Sequence, residues 1–213
     1  MLRNILIFEG FTKDQIDSAI EKLSGRRKRF LKEELIYSEG DFIDEMGIVM
    51  EGSVRIEKID YQGNRNILSN IEKGAIFGEA YALMTGHPLM IDVVAGKDCE
   101  ILFLNLRNLM RKDVMICDWY PVCIMNLLKN ASMKNMELTE RSRHTSSKHI
   151  RDRVMSYLTA VSNHVQSNEF NIPFNRQQMA DYLSLDRSAL SKELGRMSDD
   201  GLIELRKNHF RII

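Results

Sequence analysis

Four residues near the C-terminal end could do chemistry on a partner: Arg187, Ser188, Ser191 and Lys192. They fall at i, i+1, i+4 and i+5, so on a helix they share adjoining parts of one face. Ala189, Leu190, Leu194 and Met197 then form its apolar side. A helix with an apolar back and a short polar, basic front suits the major groove of duplex DNA. Arg187, close to the helix start, is best placed for a two-pronged contact to guanine. Arg176, opening a shorter helical stretch upstream, is better placed for a phosphate.

The elements that must position these side chains read as helix, tight corner, helix and strand. Asn175 is a good N-cap for a first helix carrying Met179, Ala180 and Leu183 at helical spacing. Asp186 caps the second in the same way, leaving Leu185 as the buried corner residue. Gly201 stops that helix. Two short apolar runs then flank Lys207-Asn208 and predict a hairpin, hence a wing beside the helix pair.

Composition suits a regulator of the cell interior. The 213 residues carry no net charge, yet 140–213 hold 12 Lys and Arg against 9 Asp and Glu, an excess of +3 balanced by −3 elsewhere. Three cysteines, Cys99, Cys117 and Cys123, lack paired spacing, which argues against a disulfide framework and for a reducing compartment. Neither a secretory leader pattern nor a long apolar run is evident, so a soluble, cytoplasmic protein without membrane contact is expected. No phosphate-cradling loop, paired-cysteine metal site or Gly-x-Ser-x-Gly motif supports an enzyme.

Residues 33–104 alternate apolar and polar positions in short runs broken by glycine. Val54 to Ile59 is a period-2 strand, Gln62-Gly63-Asn64 a turn, and Ile67 to Ile71 the next strand, which together indicate a sandwich or barrel. The first thirty residues read as short helices (Ile5, Leu6 and Phe8; Ile16, Ala19, Ile20 and Leu23), with Arg26-Arg27-Lys28-Arg29 as a solvated loop rather than a second DNA contact. A long helix is expected from about Asp118, its cap, to about Arg143, with Pro121 in its first turn. Tyr120, Ile124, Leu127, Ala131 and Leu138 follow a heptad along it. Such a stripe packs on its own domain or on a partner; since the β domain has its own core, a partner helix in a homodimer is expected. After a polar break at 142–147, Ile150, Val154, Leu158 and Val161 mark a helix under the DNA-reading pair.

Taken together, the chain resembles the cyclic AMP receptor protein and FNR (Crp/Fnr) superfamily of bacterial transcription regulators. The motifs that carry the resemblance are Ile36-Tyr37-Ser38-Glu39-Gly40-Asp41, Glu51-Gly52-Ser53-Val54, Gly74 to Glu79 and Leu83-Met84-Thr85-Gly86. In the second half they are Arg176 with Ala180, Leu183 to Lys192, and Gly201-Leu202-Ile203. The resemblance implies an α+β chain: an N-terminal double-stranded β-helix of the cyclic-nucleotide-binding β-roll type, a long dimerisation helix and a C-terminal winged helix-turn-helix. The corresponding segments are 1–117 for effector sensing, 118–145 for dimerisation and hinge, and 146–213 for DNA binding. It further implies a homodimer on palindromic duplex DNA that contacts RNA polymerase.

Departures from the family pattern matter as much. Cyclic AMP binders of the family follow Phe-Gly-Glu with an Arg-Ser or Arg-Thr pair whose arginine neutralises the phosphate. Here that stretch reads His87-Pro88-Leu89-Met90-Ile91-Asp92, and no arginine occurs between Arg65 and Arg107. A buried phosphate without a guanidinium is costly to desolvate, so cyclic AMP is not the expected effector. Phe77, Gly78, Glu79, Leu89 and Met90 are the candidate effector pocket, apolar in lining, with Glu79 capping backbone amides rather than holding a ribose. Three scattered cysteines cannot supply the four thiolates of an iron–sulfur cluster. His87, in a loop beside Pro88, reads as a surface residue rather than a haem ligand. Ser188 stands where many relatives carry Glu, and Lys192 where they carry Arg, which alters the expected half-site. Two alternatives stay open: a family member that needs no effector and is controlled by its abundance, and a ligand-binding or oligomerisation module whose winged helix no longer reads DNA.

Overall fold

Thr12 and Gln15 close a reciprocal capping box that starts helix α1 (Lys13–Lys22). The computed structural model describes Leu2 and residues 5–59, 65–84 and 86–213; the turn expected at Gln62-Gly63-Asn64 lies outside the described residues, as does Thr85 of the Leu83–Gly86 motif. The chain divides into two compact units, Met1–Asn130 and Ala131–Ile213.

The first unit continues through β1 (Arg26–Phe30), β2 (Leu35–Tyr37), β3 (Glu45–Glu51), β4 (Ser53–Ile59), β5 (Arg65–Glu72) and β6 (Ile76–Phe77). Helix α2 (Glu79–Leu83), β7 (Asp92–Ala95), β8 (Cys99–Asn105) and α3 (Lys112–Met115) follow, and then the long helix α4 (Tyr120–Thr145) begins. The strands form two antiparallel sheets, ordered β1-β8-β3-β6 and β2-β7-β4-β5, which is the expected β-roll. Because successive side chains on a strand point to opposite faces, β8 serves two cores. Cys99, Ile101 and Phe103 enter the interior between the sheets with Val49, Val54, Phe77 and Val93. Leu102 and Leu104 face the helices, sharing a core with Ile16 and Ala19 of α1, Leu23 just after it, and Cys123 and Leu127 of α4.

Arg26-Arg27-Lys28-Arg29 is not the solvated loop expected from the sequence; it is the edge strand β1. Arg27 and Arg29 both reach Glu100 across the strand pair, at 2.9 and 3.0 Å, and Arg26 forks onto Glu45. A dense run of cations reads as loop from composition alone. Opposed acids on the neighbouring strand let it pair on one side, while the charges discourage pairing on the other.

In the second unit α5 (Ile150–Val165), α6 (Arg176–Tyr182) and α7 (Arg187–Asp199) pack around Val154, Leu158, Met179, Leu190, Leu194 and Met197. A three-stranded sheet adds β9 (Glu169–Asn171), β10 (Ile203–Arg206) and β11 (His209–Ile212) in the order β10-β11-β9. Arg206 pairs with His209, leaving Lys207-Asn208 as the hairpin turn, with Lys207 in the left-handed region at φ 57°. The third strand, Glu169–Asn171, carried too short a pattern to be seen in the sequence.

Candidate nucleic-acid interface

Local chemistry starts α6 and α7 where the sequence placed them. The Asn175 side chain accepts from the Gln178 amide at 2.9 Å while Gln178 reaches back to the Asn175 amide, so α6 opens with a capping box. Asp186 accepts from the Ala189 amide at 2.9 Å to open α7. That bond first, and then the Ser188 hydroxyl, hold the Asp186 carboxyl below the usual carboxylate range. Gly201, at φ 71°, supplies the left-handed residue that ends α7.

With Leu190, Leu194 and Met197 buried, Ser188, Ser191 and Lys192 are exposed on the opposite side of α7, and Arg187 is exposed in its first turn. Gly195 sits on the same face as Ser191 and Lys192, and among the described residues a Cβ added there would meet nothing within 4 Å. Among the described residues neither Arg187 nor Lys192 is in an ion pair, whereas Arg196 is 3.5 Å from Glu193. Arg176 lies in the same unit but is partly buried. Its Nη2 donates to the Lys207 carbonyl at 3.1 Å, its guanidinium stands 5.8 Å from the Phe210 ring centre, and burial lowers its pKa. It therefore ties the start of α6 to the wing turn.

Sequence reasoning missed Arg151 altogether. From α5 it meets Glu193 at 2.8 Å and Asp200 at 2.7 Å, bracing the second half of α7 against the core. An isolated arginine amid helical residues carries no local sign of such a role.

The candidate effector residues divide. Phe77 is 2% exposed inside the roll, where Phe30, Tyr37 and Phe77 all surround Phe103 with ring centres 5.9 to 6.5 Å from it. Gly47 lies opposite Phe77 in the β3–β6 register, and a Cβ there would collide with the ring. Leu89 is buried, but Met90 is 62% exposed and lines no interior, a correction to the expected pocket. Its neighbour Leu89 takes the inward position, so the next side chain must turn out. Gly78, at φ 77°, starts α2, and Glu79 is buried, with the side-chain amide of Asn130 donating to it at 3.1 Å. An interior filled by the chain's own rings, with no guanidinium from the 78–92 stretch, does not fit a cyclic phosphate.

His87 is exposed. Cys99 and Cys123 are buried; burial raises both thiols, that of Cys123 to about 12, so they hold little thiolate at neutral pH.

The heptad expected to meet a partner is largely spent within the chain. Leu127 is 8% exposed in the unit's own core, and Tyr120 and Ile124 pack against that core; Ala131 and Leu138 are exposed. Helical geometry explains the difference. The stripe through Tyr120, Ile124 and Leu127 covers the β-roll, leaving Val122, Met125, Leu128, Met133 and Met136 exposed on the other side. Asp118 does not start the helix; its carboxylate accepts from Gln15 Nε2 at 2.8 Å.

Residues 27–112 match the family model of the cyclic nucleotide-binding domain, and 152–213 that of the Crp-like helix-turn-helix domain. Electron transport regulator A of Shewanella oneidensis is 25% identical over 206 residues, spanning 94% of this chain and 78% of that protein. The probable transcriptional regulator flp of Lacticaseibacillus casei is 22% identical over 94% of this chain and 88% of its own length. Among solved structures, the c-di-GMP responsive global regulator CLP of Xanthomonas campestris superposes with a TM-score of 0.62 at 18% identity, covering 92% of this chain and 98% of that one. A CooA mutant from Carboxydothermus hydrogenoformans gives 0.64 at 19%, covering 99% and 90%. At such identities the superpositions show a shared fold.

Proposed function

Since the chain belongs to the Crp/Fnr family of transcription regulators, we propose that it acts as a homodimer reading a two-fold inverted repeat in duplex DNA through α7. The carrying observation is that α7 exposes Arg187 and Lys192 without ion pairs among the described residues, while the arginines around it, Arg151 and Arg196, are tied to acids. Arg187 supplies a planar fork for guanine O6 and N7 in each half-site. Ser188, Ser191 and Lys192 shape the neighbouring positions, and Arg176 stands by for a phosphate beside the wing. Two copies of α7 about 34–36 Å apart meet successive major grooves on one face of the duplex.

Dimerisation runs through the exposed side of α4, with Met125, Leu128 and Met136 at its centre, in place of the heptad first expected. The dimer works in the cytoplasm and meets RNA polymerase at the promoter. Control through an effector in the roll is the family's usual logic; the aromatic packing around Phe103 favours instead a member that reads DNA without a ligand lodged there.

Selection from random duplexes with purified, effector-free protein tests this reading. An enriched inverted repeat supports both the dimer and the competence of the free protein. Enrichment only after a small molecule is added would restore effector control, and none under any condition would leave the winged helix as a protein-contact module.

A further inference from the structure

The turn between α6 and α7 is gripped by two arginines from elements that precede it in the chain. Arg141, in the closing turns of α4, donates from Nε to the Tyr182 carbonyl at 3.0 Å and from Nη2 to the Asp181 carbonyl at 2.9 Å. Its guanidinium stands 5.9 Å from the centre of the Tyr182 ring. Arg153, on α5, donates from Nη1 to the Leu183 and Ser184 carbonyls at 3.3 and 3.2 Å, and from Nε to the Ser147 carbonyl at 2.6 Å. Two guanidiniums thus take four consecutive carbonyls, Asp181 to Ser184.

These are groups that a helix end leaves short of partners, and a cation is favoured there by the helix dipole. Ser184 adds an independent sign that the turn is held from outside. It adopts φ 54°, a left-handed conformation that a residue with a Cβ keeps when its surroundings impose it. Asp186 and Arg187 follow at once, so the set of this turn decides the direction in which α7 leaves it.

We propose that Arg141 and Arg153 are positioning residues for DNA reading: they lock the α6–α7 turn to the end of α4 and to α5, and so fix how α7 presents Arg187. The proposal rests on the DNA-reading function above and names two residues through which that function is aligned. Arg141 has the larger role, because it joins the reading head to the helix that carries the proposed dimer seam.

The test compares the full-length wild type with Arg141→Gln, Arg141→Lys and Arg153→Gln. Hydrogen exchange at the amides of residues 183–190 reads the grip directly: each variant is expected to exchange there at least tenfold faster, with the core of α5 around Leu158 unchanged. DNA binding reads the consequence, at a temperature where melting curves show the variants folded. Affinity for the wild-type inverted repeat is expected to fall at least tenfold, with flattened base preference, while affinity for random duplex and the salt dependence stay as in wild type. Arg141→Lys keeps the charge but not the planar two-pronged donor, so it is expected to behave like Arg141→Gln. It also carries both readings should Arg141→Gln fail to fold. Unchanged exchange in the turn, or equal losses on chosen and random DNA, would overturn the proposal. If the wild type selects no DNA, the DNA-reading function fails on its own account, and the exchange measurement still decides whether the arginines hold the turn.

Discussion

The Nδ1 atom of His144 lies 2.9 Å from the Oγ of Ser156, joining the last turn of α4 to α5. The imidazole is 2% exposed, with the Tyr157 and Tyr182 rings centred 5.8 and 6.2 Å away. Burial first, and then the neighbouring Arg143 charge, lower its pKa from 6.5, against a smaller opposing pull from Glu140. A base whose folded pKa is depressed binds its proton more readily in the unfolded chain. Its stabilising contribution is therefore complete above about pH 6.5 and is lost as pH falls through the folded value. Melting temperature is expected to drop on acidification below that point. His144→Asn, which offers Ser156 a neutral partner, should flatten that part of the profile; an identical profile in the variant would clear His144 of the effect.

Arg187 and Lys192 should fail in different ways. Arg187→Ala is expected to cost about 1–3 kcal/mol on the selected site and to relax one base preference in each half-site. Lys192→Ala, which removes a point charge rather than a planar fork, should weaken binding on every sequence and lower the salt slope by about 1, with a smaller change in preference at the neighbouring base position. Titrations at several salt concentrations, on selected and scrambled duplexes, separate the two. Unchanged specificity in Arg187→Ala would remove it from base reading.

Adjacent leucines on α4 give an equally sharp contrast. Leu127 faces the unit's own core and Leu128 is 56% exposed. Leu127→Ala is expected to cost about 2–5 kcal/mol of stability, since it leaves a cavity, without changing the oligomeric state. Leu128→Asp should leave melting of the monomer nearly unaltered and disrupt the dimer. Sedimentation across a concentration series reads the second effect; a monomeric Leu127→Ala with a dimeric Leu128→Asp would return the seam to the heptad first expected.

These leucines also show how far the sequence could be read. Caps at Asn175 and Asp186, the stop at Gly201 and the hairpin at Lys207-Asn208 are local events, set by residues within a few positions of one another, and all four are present. Which side of α4 meets its own β-roll is decided by residues a hundred positions away, and two apolar stripes on one helix look alike until the roll is in place. β1 was hidden for a related reason: the acids that let Arg27 and Arg29 sit in a strand are on β8. The polar face of α7 was legible because its own helical period exposes it. The arginines that hold it, Arg141, Arg151 and Arg153, act on carbonyls and carboxylates 30 to 49 positions along the chain and leave no local trace.

Gly195 separates what the fold needs from what the partner needs. In mid-helix it costs roughly 0.5–1 kcal/mol relative to Ala, and a Cβ there would meet nothing within 4 Å among the described residues. Nothing in the packing of α7 calls for glycine, yet it occupies the exposed face between Ser191 and Lys192 on one side and Asp199 on the other. Gly195→Ala is therefore expected to raise stability by about that amount in urea denaturation. Gly195→Leu should keep most of the gain but lower DNA affinity at least tenfold, because a branched side chain in mid-face holds the helix away from the groove floor. A Leu variant that is both more stable and fully competent on DNA would mean that this part of α7 stands clear of the duplex, confining base reading to Arg187 and its first-turn neighbours.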